Sequence, residues 1–157
     1  MNIALMKESD VPKAHAIQCL AFEKRWHEPL EIFQYMQKLY SQGCFTLKQN
    51  EQTIGYIFTQ PADDNRNDYE HADWDIRGDE TCLFIHDLCI DPKYQGQGIA
   101  QQAAGHIESF AKQNEFQKLI GVAIEGVEKF WEKQGFTMLR PYLYNGEKAT
   151  FMEKVIR

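Results

Sequence analysis

The sequence predicts a mixed α/β fold, a central sheet of about six or seven strands flanked by about four helices, and three observations carry that prediction. Strand-like runs alternate with segments whose apolar residues recur at helical spacing, in the order β-α-α-β-β-β-α-β-α-β-β. The run Lys118 to Ile124 is almost wholly apolar, as expected of a strand buried on both faces. Leu83 to Ala100, LFIHDLCIDPKYQGQGIA, passes from an apolar strand through Asp91-Pro92 and Gln95-Gly96-Gln97-Gly98 into an amphipathic helix.

Each element has a local reason. Asn2 to Met6 is a short strand, and Ser9-Asp10 then caps a first helix whose first turn tolerates Pro12. Val11, Ala14, Ile17 and Ala21 mark its apolar side. A second helix runs from about Pro29 to Tyr40 on the stripe Ile32, Phe33, Met36, Leu39 and Tyr40, and Gly43 ends the region. Cys44 to Lys48 and Thr53 to Thr59 form a hairpin around the polar Gln49 to Gln52.

Pro61 to Glu80 then reads as a long polar loop, in which eight carboxylates face only Arg66 and Arg77. The expectation is a solvated, mobile insertion that could steer a cation over a screening length of about 8 to 10 Å. Thr81 to Ile90 is the central strand, and Gly98 to Asn114 is a helix with Ile99, Ala103, Ile107 and Phe110 on its buried stripe. After Lys118 to Ile124, a short helix over Gly126 to Gln134 is stopped by Gly135. The chain closes with strands near Phe136 to Arg140 and Ala149 to Ile156, which leaves Tyr142 and Tyr144 on the connecting segment.

Composition narrows the function. A chain of 157 residues, 43% hydrophobic and 13% aromatic, is long enough for one cored domain spanning 1–157. Its net charge of -6 argues against nucleic acid, whose phosphates reward clustered Lys and Arg, and favours a cationic small molecule. No stretch approaches the roughly 18 apolar residues of a membrane span, and the apolar start is too short for a signal segment, so a soluble cytoplasmic protein is expected. Cys19, Cys44, Cys82 and Cys89 lack C-x-x-C spacing and sit among apolar neighbours, which predicts buried reduced thiols and no metal.

The segment from strand to helix is an anion site in outline. The first N–H groups of a helix have no intrahelical partners and carry the positive end of the helix dipole. Backbone left bare by Gly96 and Gly98 can therefore wrap a phosphate or pyrophosphate. The dinucleotide fingerprint fails because Gln101 stands where a third small residue is required, and no Gly-Lys-Ser/Thr triplet supplies a Walker loop.

What fits is Q-x-x-G-x-A over Gln95 to Ala100 after strand-Asp-Pro, which resembles the acetyl-CoA pyrophosphate motif of the GNAT (Gcn5-related) N-acetyltransferases. The element order is that family's order. Phe130-Trp131-Glu132-Lys133-Gln134-Gly135-Phe136 resembles its F-Y-E-K-x-G-F segment. Pro29-Leu30, Phe84-Ile85-His86 and Thr150-Phe151-Met152-Glu153 look like landmarks of the arylalkylamine (serotonin-type) branch.

The resemblance implies an enzyme, a single N-acetyltransferase domain working as monomer or homodimer. Acetyl-CoA would be its cosubstrate, with the N–H groups of Gly96, Gln97, Gly98, Ile99 and Ala100 and the side chain of Gln95 on the pyrophosphate. It also implies that backbone at Leu88, Cys89 and Ile90 pairs with the pantetheine arm, and that the N–H of Cys89 or Ile90 serves the oxyanion. Trp26, Glu28 and Pro29, at the junction of the first two helices, would meet the acceptor.

Acceptor chemistry adds a base. A primary amine has a pKa near 10, so only about one molecule in a thousand is free base at pH 7, a handicap of roughly 4 kcal/mol. His86 is the histidine of the central strand, on the face of Phe84 and Leu88 by strand alternation, and is the candidate base or proton-wire member. Asp87 points to the opposite face.

Many relatives place a tyrosine acid where this chain has Trp131, and indole has no titratable proton. Tyr142 or Tyr144 could approach the sulfur instead, and Tyr144 is taken as the catalytic candidate. The acceptor implied is a small arylalkylamine or polyamine. The alternatives are a protein or peptide N-terminus as acceptor, or a CoA-binding regulatory module without catalysis.

Overall fold

Strand formation begins where β-branched and aromatic residues alternate, and the computed structural model, which describes every residue from Met1 to Arg157, places seven strands in one sheet in the order β1-β2-β3-β4-β5-β7-β6. The strands are β1 (Asn2–Leu5), β2 (Cys44–Gln49), β3 (Gln52–Ala62), β4 (Cys82–Ile90), β5 (Lys118–Ile124), β6 (Thr137–Tyr144) and β7 (Glu147–Val155). Four α-helices accompany them, α1 (Val11–Ala21), α2 (Leu30–Leu39), α3 (Ile99–Gln113) and α4 (Glu128–Lys133). The mixed α/β fold expected from the sequence is therefore present. Contacts divide the chain into two units, Met1–Thr59 with Asp87–Ala103, and Gln60–His86 with Ala104–Arg157.

In the first unit β1, β2 and β3 are antiparallel neighbours, with a bulge between Leu47 and Lys48. Asn50 and Glu51 take positive φ angles of 52° and 65°, which turns the β2–β3 hairpin tightly. Val11, Ala14 and Ile17 of α1 and Phe33 and Met36 of α2 are buried. Phe33 lies edge-on to Tyr56 and Phe58 of β3, with ring centroids 5.3 and 5.0 Å away. Burying such a side chain contributes about 1.5–3 kcal/mol, so the helical stripe predicted from spacing fixes α2 on β3.

The second unit pairs β4 with β5 in parallel, Cys82 to Ile85 against Lys118 to Gly121. β5 then pairs antiparallel with β7, and β6 with β7. Here the sequence expectation needs correction: Tyr142 and Tyr144 lie within β6, not on a connecting segment. Asn145 and Gly146, with φ of 50° and 79°, form the turn, the backbone that a two-residue hairpin loop demands.

The acidic insertion also departs from expectation, because it is packed. β3 continues through Ala62, and Tyr69, Ala72 and Trp74 are 0%, 0% and 5% exposed. Tyr69 stacks on Phe84 at 4.9 Å and on Phe151 at 5.4 Å, and joins Trp74, Cys82, Ile120 and Tyr142 in one cluster. Polar atoms are satisfied locally: the Tyr69 hydroxyl donates to Asp63 O (2.6 Å), Trp74 Nε1 to Pro61 O (2.8 Å) and the Tyr142 hydroxyl to Glu70 (2.6 Å). Arg66 pairs with Asp68 and Arg77 with Asp63 and Asp79, while Lys118 bridges Asp64 and Glu153. The carboxylates thus decorate an apolar plug.

These pairings carry a sign. Hydrogen bonds from Arg77 hold the Asp63 carboxyl below its ordinary range, and those from Arg66 do the same for Asp68. Burial pushes the Glu70 carboxyl up, but hydrogen bonds from Tyr142 and backbone outweigh it and the net direction is down. A carboxyl depressed in the folded state contributes stability that is present above its unfolded pKa and lost as pH falls through the folded value. Amide protection over residues 63–80, corrected for intrinsic exchange, is expected to hold from pH 7 down to about 5 and to fall only below about 4. Loss between pH 6 and 5 would assign the plug's tethering to other groups.

Three cysteines are buried as expected, Cys44, Cys82 and Cys89, whereas Cys19 is exposed on the solvent side of α1. Burial pushes the Cys44 thiol up to about 12, so it stays protonated and donates to the carbonyls of Met36 and Tyr40. No helix is long and apolar enough to cross a membrane.

Candidate functional site

The turn between β4 and α3 is built by short-range bonds. Asp91, 6% exposed, donates its backbone N–H to Ile54 O (2.7 Å), and its Oδ1 accepts from Lys93 N (3.0 Å). That cap closes a 3-10 turn over Pro92–Tyr94, with Pro92 at a position where its missing N–H costs nothing. Gly96 and Gly98 follow with φ of 82° and 78°, in the left-handed region that other residues enter only at a cost. A Cβ built on either meets no heavy atom within 4 Å, so the backbone faces open space.

Gly98 O accepts from Gln102 N (3.1 Å), which opens α3, and Ile99 anchors the first turn at 4% exposure. Gln97 is exposed and Ala100 half-buried. Gln95 is exposed and its Nε2 donates to Ile90 O (3.2 Å), so in this structure it braces the turn.

β4 supplies the backbone beside this turn. Leu88 is half-buried, and Cys89 and Ile90 are 2% and 7% exposed. Burial first, then the negative charge of Asp87, raises the Cys89 thiol far above reactive range. Gly55 of β3 is what allows the close approach here, because a Cβ at that position would stand 2.6 Å from Cys89 O.

A polar network missed by sequence reasoning lies on the Asp87 side of β4. Tyr56, fully buried, donates its hydroxyl to Asp87 Oδ2 at 2.5 Å. Burial first, and then the Asp87 charge, raises the phenol well above its ordinary value, so it remains a neutral donor. Gln18 Nε2 donates to the same Asp87 oxygen (3.2 Å) and to Glu28 Oε1 (3.1 Å), while Gln18 Oε1 accepts from Glu28 N (2.8 Å). His15 Nε2 bonds Glu28 O at 2.8 Å.

Of the three acceptor candidates, Glu28 is therefore joined to β4 through Gln18. Trp26 is half-buried in a 3-10 turn with the Arg25 guanidinium 4.9 Å from its ring, and Pro29 is the exposed N-terminal cap of α2. The signals for this network were a glutamine on the buried side of α1 and a carboxylate inside an apolar strand.

In the second unit His86 is half-buried, with its Nδ1 shut away from solvent and its ring 6.0 Å from that of Phe84. Tyr144, also half-buried, packs against the same aromatic cluster. Tyr142 is engaged otherwise: its oxygen donates to Glu70 and accepts from Tyr69 N (2.9 Å), which makes it a structural latch. Trp131 is 7% exposed, edge-on to Phe130 and Phe136 at 5.0 and 5.1 Å. No group of three or more His, Cys, Asp or Glu side chains is arranged to hold a metal ion.

Three solved structures place this architecture. The loading GNATL domain of CurA from Lyngbya majuscula superposes with a TM-score of 0.87 at 14% identity, over 99% of this chain and 97% of that one. The GphF GNAT-like decarboxylase, solved with isobutyryl-CoA, gives 0.84 at 11% identity over 100% of both. The ribosomal-protein-S18-alanine N-acetyltransferase from Escherichia coli gives 0.76 at 18% identity, over 99% of this chain and 93% of that one. At these identities the likeness is one of fold. No curated protein matches the chain by sequence. Residues 11–136 match the model of the acetyltransferase (GNAT) family, and the chain belongs to that family.

Proposed function

We propose that the protein transfers the acetyl group of acetyl-CoA to a small primary amine, of arylalkylamine or polyamine type, by direct attack in a ternary complex. The observation that carries this reading is the bare, left-handed Gly96-Gln97-Gly98 backbone that opens α3 immediately after β4 in a chain of the GNAT family. Its open space suits a pyrophosphate, and the N–H groups from Gly96 to Ala100 are the donors that would hold it. Acetyl-CoA supplies an activated thioester. The chain's own residues bind, orient and move protons.

Backbone at Leu88, Cys89 and Ile90 would run along the pantetheine arm, which leaves their side chains to the core. The N–H of Cys89 or Ile90 would meet the carbonyl oxygen, a contact whose loss typically costs about 3–4 kcal/mol. Glu28, with Trp26 and Pro29, would receive the amine, and Gln18 bonds both the side chain and the backbone N–H of Glu28. His86 would take the amine's proton, its ring set against Phe84. Trp131 offers no acid, but a thiol of pKa near 8.5 leaves as thiolate at a cost of about 2 kcal/mol at neutral pH. Tyr144 is the remaining donor for that thiolate.

Initial rates with acetyl-CoA and amine varied together should give intersecting lines, and intact-mass analysis after acetyl-CoA alone should give no acetylated protein. A stable acetyl-protein would replace direct attack by a covalent route. Gly98→Ala is expected to weaken CoA binding about tenfold or more by calorimetry, because the left-handed backbone costs a side chain about 1–2 kcal/mol and the displaced N–H groups lose their aim. Unchanged affinity would move the pyrophosphate away from this turn.

A further inference from the structure

Asp91 is 6% exposed, and only one of its carboxyl oxygens is engaged. Its backbone N–H is fixed on Ile54 O (2.7 Å) and its Oδ1 accepts from Lys93 N (3.0 Å), so the carboxyl is held in one orientation. Oδ2 has no hydrogen-bond partner in the protein and is not sealed from solvent. An acceptor left in that state inside a buried residue calls for a donor from elsewhere. Asp91 lines a cavity of about 310 Å³, which gives such a donor room to enter.

The rest of the lining is Lys13 from the first turn of α1, Gln52 and Thr53 from the start of β3, and Lys93 and Tyr94 from the 3-10 turn after β4. Tyr94 donates its hydroxyl to Gln52 Oε1 (3.4 Å), which ties the turn to β3 and leaves the Gln52 amide nitrogen available as a donor. Lys13 and Lys93 are exposed and neither enters an ion pair. Buried Val11 and Ala14 hold the backbone that carries Lys13. Apart from the Tyr94 ring no apolar side chain contributes, so an arylalkylamine gains little here.

Exposed lysines alone would mark only a solvated surface, but here they share a cavity with a buried, half-engaged carboxyl. That pattern is the complement of a molecule with two carboxylates and one ammonium. Inorganic phosphate would bring its charge against Asp91, a plain dicarboxylate would leave Oδ2 without a donor, and an amino acid with one carboxylate would leave one lysine unmatched. The volume lies at the lower end of small-molecule sites, which suits a ligand of this size. We propose that this cavity binds a free acidic amino acid, glutamate or aspartate, at a site separate from the Gly96–Ala100 turn: the ammonium on Asp91 Oδ2, the carboxylates on Lys13 and Lys93, and the Gln52 amide as a further donor.

Amide-shift titrations of the isotope-labelled protein, with and without bound CoA, test this with L-glutamate, L-aspartate, glutarate, L-glutamine and inorganic phosphate. At least one acidic amino acid should give saturable shifts centred on Lys13, Gln52 and Lys93. It should bind about tenfold or more tightly than glutarate, glutamine or phosphate, the usual effect of one charge-assisted hydrogen bond. Lys13→Ala, at an exposed helical position that alanine suits, should weaken that ligand about tenfold while CoA affinity is unchanged. Asp91→Asn keeps an oxygen for Lys93 N but loses the second acceptor, and should bring the acidic amino acid down to the affinity of glutarate. No saturable binding of either acidic amino acid overturns the proposal, as does a preference left intact in Asp91→Asn. Glutarate or phosphate binding equally tightly overturns it too, since the ammonium would then go unread. Loss of the binding in CoA-loaded protein would assign the cavity to CoA itself and likewise overturn it. None of these readouts involves acetyl transfer, so this site and the transfer reading fail separately.

Discussion

Replacing His86 by alanine is expected to lower kcat for amine acetylation by about 10²- to 10⁴-fold, the usual contribution of a positioned base. The acid limb of the rate–pH profile should disappear with it. An imidazole base works in its neutral form, so the rate falls on the acid side where the ring is protonated, and a variant without the ring has no such limb. CoA affinity should be nearly unchanged, because the Gly96–Ala100 turn carries that contact in our account. His86 sits on a strand whose preceding residues pair with β5, and Phe84 flanks its ring, so alanine removes the imidazole without removing the strand. An unchanged pH profile would take the base role away from His86 and direct attention to Asp87, the neighbouring group with donors already aimed at it.

The largest effect on stability is expected at Tyr69, in the acidic insertion. Tyr69→Ala removes a fully buried ring that stacks on Phe84 and Phe151, and should cost about 3–5 kcal/mol, the range for large aromatic truncations. For a chain of this size the melting temperature should fall on the order of 10 °C. Tyr69→Phe keeps the stacking and loses only the hydroxyl's bonds with Asp63 O and Arg66 N, so its cost should be about 1–2 kcal/mol. Burial pushes the Tyr69 phenol up to about 12, so this difference should be constant across neutral pH. Thermal unfolding of the two variants measures both numbers. Equal losses for Phe and Ala would mean that the hydroxyl, not the ring, anchors the insertion.

Tyr69 also bears on function through Phe84. The ring that stacks on Tyr69 is the ring beside His86, so the insertion supports the residue proposed as base. The insertion in this reading is a plug whose apolar anchors hold an aromatic floor and whose carboxylates face outward.

The strand and helix segments that depend on periodicity were readable. β5 begins and ends at the predicted residues, because a run apolar on both faces admits few alternatives. The turn from β4 into α3 was equally legible, since Asp91-Pro92 and two glycines dictate local geometry with no help from distant residues. The insertion was obscured by its charge: eight carboxylates hid the apolar anchors Tyr69, Ala72 and Trp74, which have no helical or strand period. The Asn145-Gly146 pair is the local turn signal that puts Tyr142 and Tyr144 inside β6 rather than in the connection.

The Gln18–Glu28–Asp87 network could not be read from spacing at all. Its members are 10 and 69 residues apart and meet only because α1 packs as it does, so their adjacency is a property of tertiary structure. A buried glutamine in an apolar stripe is the local anomaly that pointed to it.

Thiol release on adding acetyl-CoA to the protein with a panel of arylalkylamines, polyamines and N-terminal peptides tests the central claim most directly. The account predicts that CoA thiol and acetylated amine appear together, in equal amounts, with a small primary amine. Tight CoA binding with no thiol released for any acceptor would contradict it.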